Sequence, residues 1–271
     1  RDQKNALLVK EHPYPSNFGV VMIKNSEVSC IVEKPEHAPA FTVSTGIFSL
    51  SRDFFSYIAG NHLTDAVNEM IRHGGHLSAI PADDWQDAVY PWDLLALNMK
   101  TLSKTEPEKS GILDRDVRIT GTVRISRGVT IGPFTTVTGP VVIGEDAEIG
   151  SHCCIGPQVS IGARVKIEPF TMLEHALVMN DAAIGSHSQV TEAVIGEGSM
   201  LGDHTTVAPG VPMLEIEDTL IRGRFGCVLG DQVHSDPFCI YQGAIVGNNA
   251  RIRGGKMISG LEAFQDEVLV I

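Results

Sequence analysis

Three kinds of residue in this sequence have the chemistry to do more than pack. Glu33 and Lys34 stand side by side in VEKP (32–35), at the end of an apolar run, and Asp87 stands in WQDAVYP (85–91). Histidines recur through the second half at positions 152, 175, 187, 204 and 234. An isolated carboxylate can hold a hard cation. An imidazole can carry a proton near neutral pH. Each residue also has a plainer reading: an ion pair after a strand, a loop acid before a helix, a polar corner. The elements that carry them have to decide.

In the first hundred residues the pattern alternates between strand and helix. NALLVK (5–10) reads as a strand, and GVVMIK with EVSCIV reads as a hairpin turning at Asn25–Ser26. FTVSTGIFSLS (41–51) is another strand. LTDAVNEMIRHGG carries apolar residues at 63, 66, 67, 70 and 71, a helical stripe that stops at Gly74. HLSAIPA is a strand, and PWDLLALNMKTLSK (91–104) is a helix opened by Pro91. KTEPEKS (104–110) is the expected junction.

Beyond it the period changes. VVIGED AEIGSH CCIGPQ VSIGAR (141–164) places isoleucine third and glycine fourth in each block of six. The register runs from Ile119 to Met179 with an aliphatic residue or Met at every sixth position. Neither a helix period of 3.6 nor a strand period of 2 produces this. A parallel β-helix does: each hexad forms one flat side and a corner, and the third residue points inward. Glycine in fourth place avoids a Cβ clash at the corner and can take positive φ. After Met179 the register slips, resumes at Ile184 and Val190, slips again at Ile195, and returns after a non-repeating stretch (208–225) at Ile240, Val246, Ile252 and Ile258. The expected domains are 1–104, a β-helix over 111–260 with a loop at 208–226, and a tail over 261–271.

Composition narrows the partners. The net charge of −12 argues against nucleic acid and anionic membranes, which need clustered Lys and Arg. No apolar run is long enough for a membrane-spanning helix. Five cysteines without a CxxC pair suggest a reducing, cytoplasmic setting.

The ordered pieces SNFGVV, VEKP, STGIF, LTDAV and WQDAVYPWDLLALN resemble the second half of sugar-1-phosphate nucleotidylyltransferases. With the hexad repeat behind them, the chain resembles the archaeal glucose-1-phosphate and N-acetylglucosamine-1-phosphate nucleotidylyltransferases. The resemblance implies an α/β partial nucleotidylyltransferase domain followed by a left-handed β-helix that assembles side by side into trimers. It implies sugar-1-phosphate and NTP substrates and Mg²⁺. Gly19 would present its N–H to a sugar hydroxyl, Glu33 would accept from sugar hydroxyls, and Lys34 would hold the sugar phosphate as a point charge. Gly46 would lie close under the sugar, and Asp87 would help bind Mg²⁺. The GxGxRxxP loop with which such domains open is not in the sequence. Because the chain begins at Arg1, the expectation is a C-terminal piece of a longer protein, without the nucleotide-binding half and inactive alone in nucleotidyl transfer.

A second activity has to be weighed. In relatives of this kind that acetylate an amino-sugar-1-phosphate with acetyl-CoA, a β-helix histidine is the general base, and His187 occupies the corresponding place. The surrounding pattern departs from that family: Glu168 and Glu174 replace two basic positions, and Gly202-Asp203-His204-Thr205 replaces a GAGT turn. Carboxylates there repel a sugar phosphate. Zinc sites on this fold use a histidine pair five residues apart, and no two β-helix histidines here have that spacing. The readings left open are a nucleotidylyltransferase with an assembly β-helix, a β-helix acetyltransferase, and a non-catalytic regulatory homologue.

Overall fold

The computed structural model describes residues 5–216, 219–263 and 265–270. The chain forms two compact units, Arg1–Asp87 and Ala88–Ile271.

In the first unit the strands β1 (Ala6–Glu11), β2 (Gly19–Lys24), β3 (Glu27–Glu33), β4 (Thr42–Ser49) and β5 (Ser78–Pro81) close in the order β1-β4-β2-β3-β5. β2 and β3 form the expected hairpin. Asn25 and Ser26 both take positive φ, 52° and 66°, as a tight hairpin turn requires. Helix α1 (Leu63–Arg72) buries Ala66, Val67 and Met70 against Leu7, Val21, Val28 and Ile31. Each of the larger side chains here, Val, Leu, Ile or Met, contributes about 1.5–3 kcal/mol when fully buried. Gly74, at φ +82°, ends the helix as its sequence position suggests.

The second unit is a parallel β-helix. One of its faces is a sheet of 9 strands running from Ile112–Leu113 to Leu269–Val270. Its interior is the aliphatic ladder: Ile125, Ile143, Ile155 and Leu173 are at most 1% exposed. The glycine in fourth place is there for close approach. A Cβ on Gly144 would lie 2.6 Å from the Gly162 carbonyl carbon of the next coil, and only Gly156 of the four opening blocks has positive φ. The left-handed conformation falls instead on the sixth residues, Asp146, His152, Gln158 and Arg164. This costs roughly 1–2 kcal/mol at each, which the packed interior offsets.

Four sequence expectations are corrected. Met179 is not an interior residue. The strand Met172–Val178 runs straight through the corner, His175 takes φ 48°, and Val178 pairs with Ile161 and fills the interior in its place. The register has therefore already slipped before Met179. Ile240 is 42% exposed, and Tyr241 is the buried residue, its hydroxyl donating to Ser235 Oγ at 2.9 Å. The coil does not stop at residue 260, because Leu269–Val270, within the expected tail, pairs with Arg251–Ile252 as a further rung. At the other end the coil begins at Glu108–Lys109, which pairs with Arg124–Ile125.

The division at Asp87 also precedes the expected junction. Helix α2 (Asp93–Leu102) lays Leu94 and Leu95 against Leu177, Val194 and Val228 on one outer face of the β-helix. Asn98 Oδ1 accepts from Ser160 Oγ at 2.5 Å. The non-repeating stretch folds over the same face as a hairpin, Met213–Ile216 with Thr219–Arg222, its base closed by a bridge between Gly210 and Phe225. Residues 217 and 218 of the expected loop lie outside the described residues.

Candidate functional site

Of the residues singled out in the first unit, Gly19, Glu33 and Lys34 meet at one end of the β2–β3 hairpin. Gly19 opens β2 directly opposite Glu33, the last residue of β3. A Cβ on Gly19 would lie 3.0 Å from Glu33 Oε2 and 3.2 Å from Ile31 Cγ2. A bare backbone is therefore what lets the carboxylate lie along the strand end. Glu33 Oε2 also accepts from Thr64 Oγ1 at 3.0 Å, in the first turn of α1. That turn is anchored by Asn68, which accepts from the Ile31 N–H at 2.8 Å and donates to the Ile31 carbonyl at 2.7 Å. Sequence reasoning used LTDAV only as a marker. The structure shows that this segment, continued by Asn68, fixes Glu33.

Lys34 follows in a left-handed conformation, φ 38°, with its N–H donated to the Phe18 carbonyl at 3.1 Å. For lysine this backbone is strained, and such strain persists only where the surroundings impose it. Gly46 sits where the β1–β4 register shifts, between the pairs Leu7↔Phe48 and Val9↔Ser44. Its φ is +77° and no atom lies within 4 Å of a built Cβ. Conformation, not crowding, selects glycine there, and the space above it is open.

The WQD segment is tied to the same region. Lys10 Nζ donates to the carbonyls of Ala82 and Asp83, both at 3.0 Å. Trp85 meets Phe18 edge-on at 5.8 Å, and Phe18 meets His12 at 4.6 Å. Asp87 lies two residues past Trp85, half-buried, at the end of the unit. The aromatic cluster of His12, Phe18 and Trp85 was missed in the sequence, because its members belong to no single element. Among the described residues no group of three or more His, Cys, Asp and Glu is placed to hold a metal ion.

In the β-helix, His187 belongs to a ladder. Phe134, His152, Phe170, His187, His204 and Phe238 occupy one corner of successive coils, with ring centroids 4.8–5.0 Å apart. His187 lies between Phe170 (4.9 Å, planes 20° apart) and His204 (5.0 Å, 22°), so both ring faces are covered and only its edge meets solvent. All six residues take positive φ, between 56° and 66°. The Asp203 carboxylate accepts from the Ser186 N–H at 2.7 Å and its hydroxyl at 3.0 Å. Glu168 is exposed and lines an open groove of about 730 Å³ with Lys166, Glu148 and Arg115. Glu174 is half-buried, 3.9 Å from His175 Nδ1.

Two families of known proteins match this chain: Nucleotidyl transferase over residues 1–104, and the GMPPB C-terminal domain over residues 137–259. A Nucleotidyl transferase match is thus followed along the chain by a match to the GMPPB C-terminal domain. Among its relatives is the bifunctional protein GlmU of Methanococcus aeolicus, 25% identical over 95% of this chain and 67% of the relative. The bifunctional sugar-1-phosphate nucleotidylyltransferase/acetyltransferase of Sulfurisphaera tokodaii is 29% identical over 73% of the chain and 48% of its own length. The glucose-1-phosphate thymidylyltransferase of Streptomyces griseus is 27% identical over 76% and 59%. The chain spans about two thirds of the length of the GlmU relative.

The family matches and the structure divide this chain differently. By sequence α2 lies inside the Nucleotidyl transferase match, which ends at residue 104, yet it packs as part of the second unit. The GMPPB match runs through the hairpin excursion, so that excursion lies within the family's domain.

Proposed function

We propose that this chain supplies the sugar-phosphate site and the assembly scaffold of an enzyme that converts an NTP and a sugar-1-phosphate to an NDP-sugar and pyrophosphate. A phosphate oxygen of the sugar-1-phosphate attacks the α-phosphorus, and the bond to the β-phosphate breaks. The chain's part is positioning and charge neutralisation, not covalent chemistry. Glu33, held by Thr64, accepts from sugar hydroxyls across the bare backbone of Gly19. Lys34 pairs with the sugar phosphate, and Gly46 leaves room beneath the ring. Asp87 fits as a single protein ligand to Mg²⁺, an ion commonly held by one or two carboxylates plus substrate phosphates. Bound there, Mg²⁺ would neutralise charge on the reacting phosphates. The observation that carries the reading is the Gly19–Glu33–Thr64 arrangement, with Lys34 fixed beside it in a strained turn.

The β-helix serves assembly into an oligomer. His187, capped on both faces, is assigned to the corner ladder, and no acetyl-transfer step is assigned to it. The test is calorimetric titration of this chain with glucose-1-phosphate and N-acetylglucosamine-1-phosphate. Saturable binding that weakens about 10–100-fold in Lys34→Ala is expected, the effect of losing a charged hydrogen bond worth roughly 1.5–3 kcal/mol. Absence of binding to either sugar phosphate, or indifference to Lys34, would overturn the assignment.

A further inference from the structure

The register slip leaves a mark on the surface. Between the inward residues Ile155 and Val159 the corner of the coil holds Gly156, Pro157 and Gln158. Between Leu173 and Ala176 it holds only Glu174 and His175, and between Val190 and Ala193 only Thr191 and Glu192. The wall steps where the corner shortens, and a recess of about 360 Å³ opens at that step, wholly within the second unit. Gln158, His175 and Glu192 line one side, one from each of three successive coils, with Arg224 from the return of the hairpin. Trp92, Leu95, Ala96 and Met99 line the other side, spaced i, i+3, i+4 and i+7 as one apolar stripe along α2 and its N-cap. Met99, at the far end of that stripe, is 45% exposed. Gln158 and His175 are half-buried, yet among the described residues neither the amide nor the imidazole has a hydrogen-bond partner.

We infer that this recess binds a neutral, polyhydroxylated small molecule of about monosaccharide size, at a ligand site that the nucleotidyl-transfer reading does not use. Its volume falls in the range of small-molecule sites, roughly 300–1,000 Å³. The chemistry of its two sides selects the class. A hydroxyl both donates and accepts; here the Glu192 carboxylate accepts, the Arg224 guanidinium donates, and the Gln158 amide does both. Arg224 donates to Glu192 Oε1 at 2.9 Å, so neighbouring hydroxyls of one ring meet a donor and an acceptor side by side. The apolar stripe opposite suits the C–H face of the same ring. A nucleobase fits less well. Trp92 is the large aromatic ring of the lining, and Tyr90 and Phe225 stack on its two faces, which leaves an edge and no platform. An anion is disfavoured too. Arg224 is the one Lys or Arg among the described lining residues, it is already paired, and Asp93 and Glu192 set two carboxylates against it. Asp93 itself is occupied, its Oδ2 accepting from the N–H groups of Val89 and Tyr90 at 2.9 and 2.8 Å.

The test is saturation-transfer NMR on the full chain, with glucose, mannose and N-acetylglucosamine as probes and inorganic phosphate as competitor. At least one of these sugars should give a saturable signal that phosphate does not displace. Gln158→Leu removes the amide at nearly constant volume and should weaken that binding roughly tenfold, the effect of one lost hydrogen bond. Met99→Trp fills the recess from its exposed rim and should abolish the signal. Circular dichroism and melting of both variants should match the parent chain, since neither position lies in the β-helix interior. Glu33→Gln, in the first unit, should leave the signal as it was. No saturable signal from any of the three sugars, displacement by phosphate, or indifference to both Gln158→Leu and Met99→Trp would overturn the site. A signal lost in Glu33→Gln and kept in Gln158→Leu would also overturn it, while supporting the sugar-phosphate reading, whose own failure is read separately by calorimetry with the sugar-1-phosphates.

Discussion

Trp92 and Phe225 stack with ring centroids 5.0 Å apart and planes within 6°. Trp92 precedes α2, and Phe225 closes the hairpin excursion. Tyr90 covers the other face of Trp92 at 4.8 Å. This contact, more than any loop chemistry, accounts for the interruption of the repeat. The excursion leaves the coil and returns with a fully buried phenylalanine that pins the segment entering α2.

Phe225→Ala should therefore destabilise the second unit by about 3–5 kcal/mol, the range for a large aromatic lost from a core. Trp92→Ala should cost a similar amount. The double variant should lose less than the sum, because each single variant already breaks the stack. Denaturant unfolding followed by far-UV circular dichroism measures all three.

Gly19→Ala is expected to damage binding more than stability. The added Cβ meets Glu33 Oε2 at 3.0 Å, and that carboxylate is the flexible end of a side chain, so it moves aside. Melting should fall by only a few degrees, whereas sugar-1-phosphate affinity measured by calorimetry should fall at least tenfold. A larger thermal loss with binding intact would contradict the role given to Glu33.

His187→Ala should leave acetyl-CoA chemistry as it finds it, because none is expected. With glucosamine-1-phosphate and acetyl-CoA, thiol release by the wild-type chain should stay at the background rate. Turnover that disappears in His187→Ala would instead make this imidazole a general base, whose removal ordinarily costs 10²–10⁴-fold.

Burial pushes the Tyr241 phenol above its ordinary range. Its folded-state pKa is raised, so its contribution to stability is complete below the unfolded value, about 10, and is lost as pH climbs beyond it. Absorbance at 295 nm should show one of the four tyrosines failing to ionise until the protein unfolds in alkali. Tyr241→Phe should abolish that delayed step and cost about 1–2 kcal/mol through the lost bond to Ser235.

Much of the structure is written in short windows of sequence. The interior ladder from Ile125 to Leu173 is legible because each hexad places its inward residue at a covalently fixed spacing. The Asn25–Ser26 turn and the buried stripe of α1 are equally local, and so are the motifs that carry Gly19, Glu33, Lys34 and Gly46. What the tertiary structure decided depends on accumulated register. Ile155 pairs with Leu173, eighteen residues on, and Leu173 with Val190, seventeen on. A slip of one residue exchanges the inner and outer faces of a strand, which is why Val178 and Tyr241 are inside while Met179 and Ile240 are not. Longer separations in sequence part Thr64 from Glu33, 31 residues, and Phe225 from Trp92, 133 residues. Periodicity along a chain is a local property. Which side chains meet across coils follows from the sum of every turn between them.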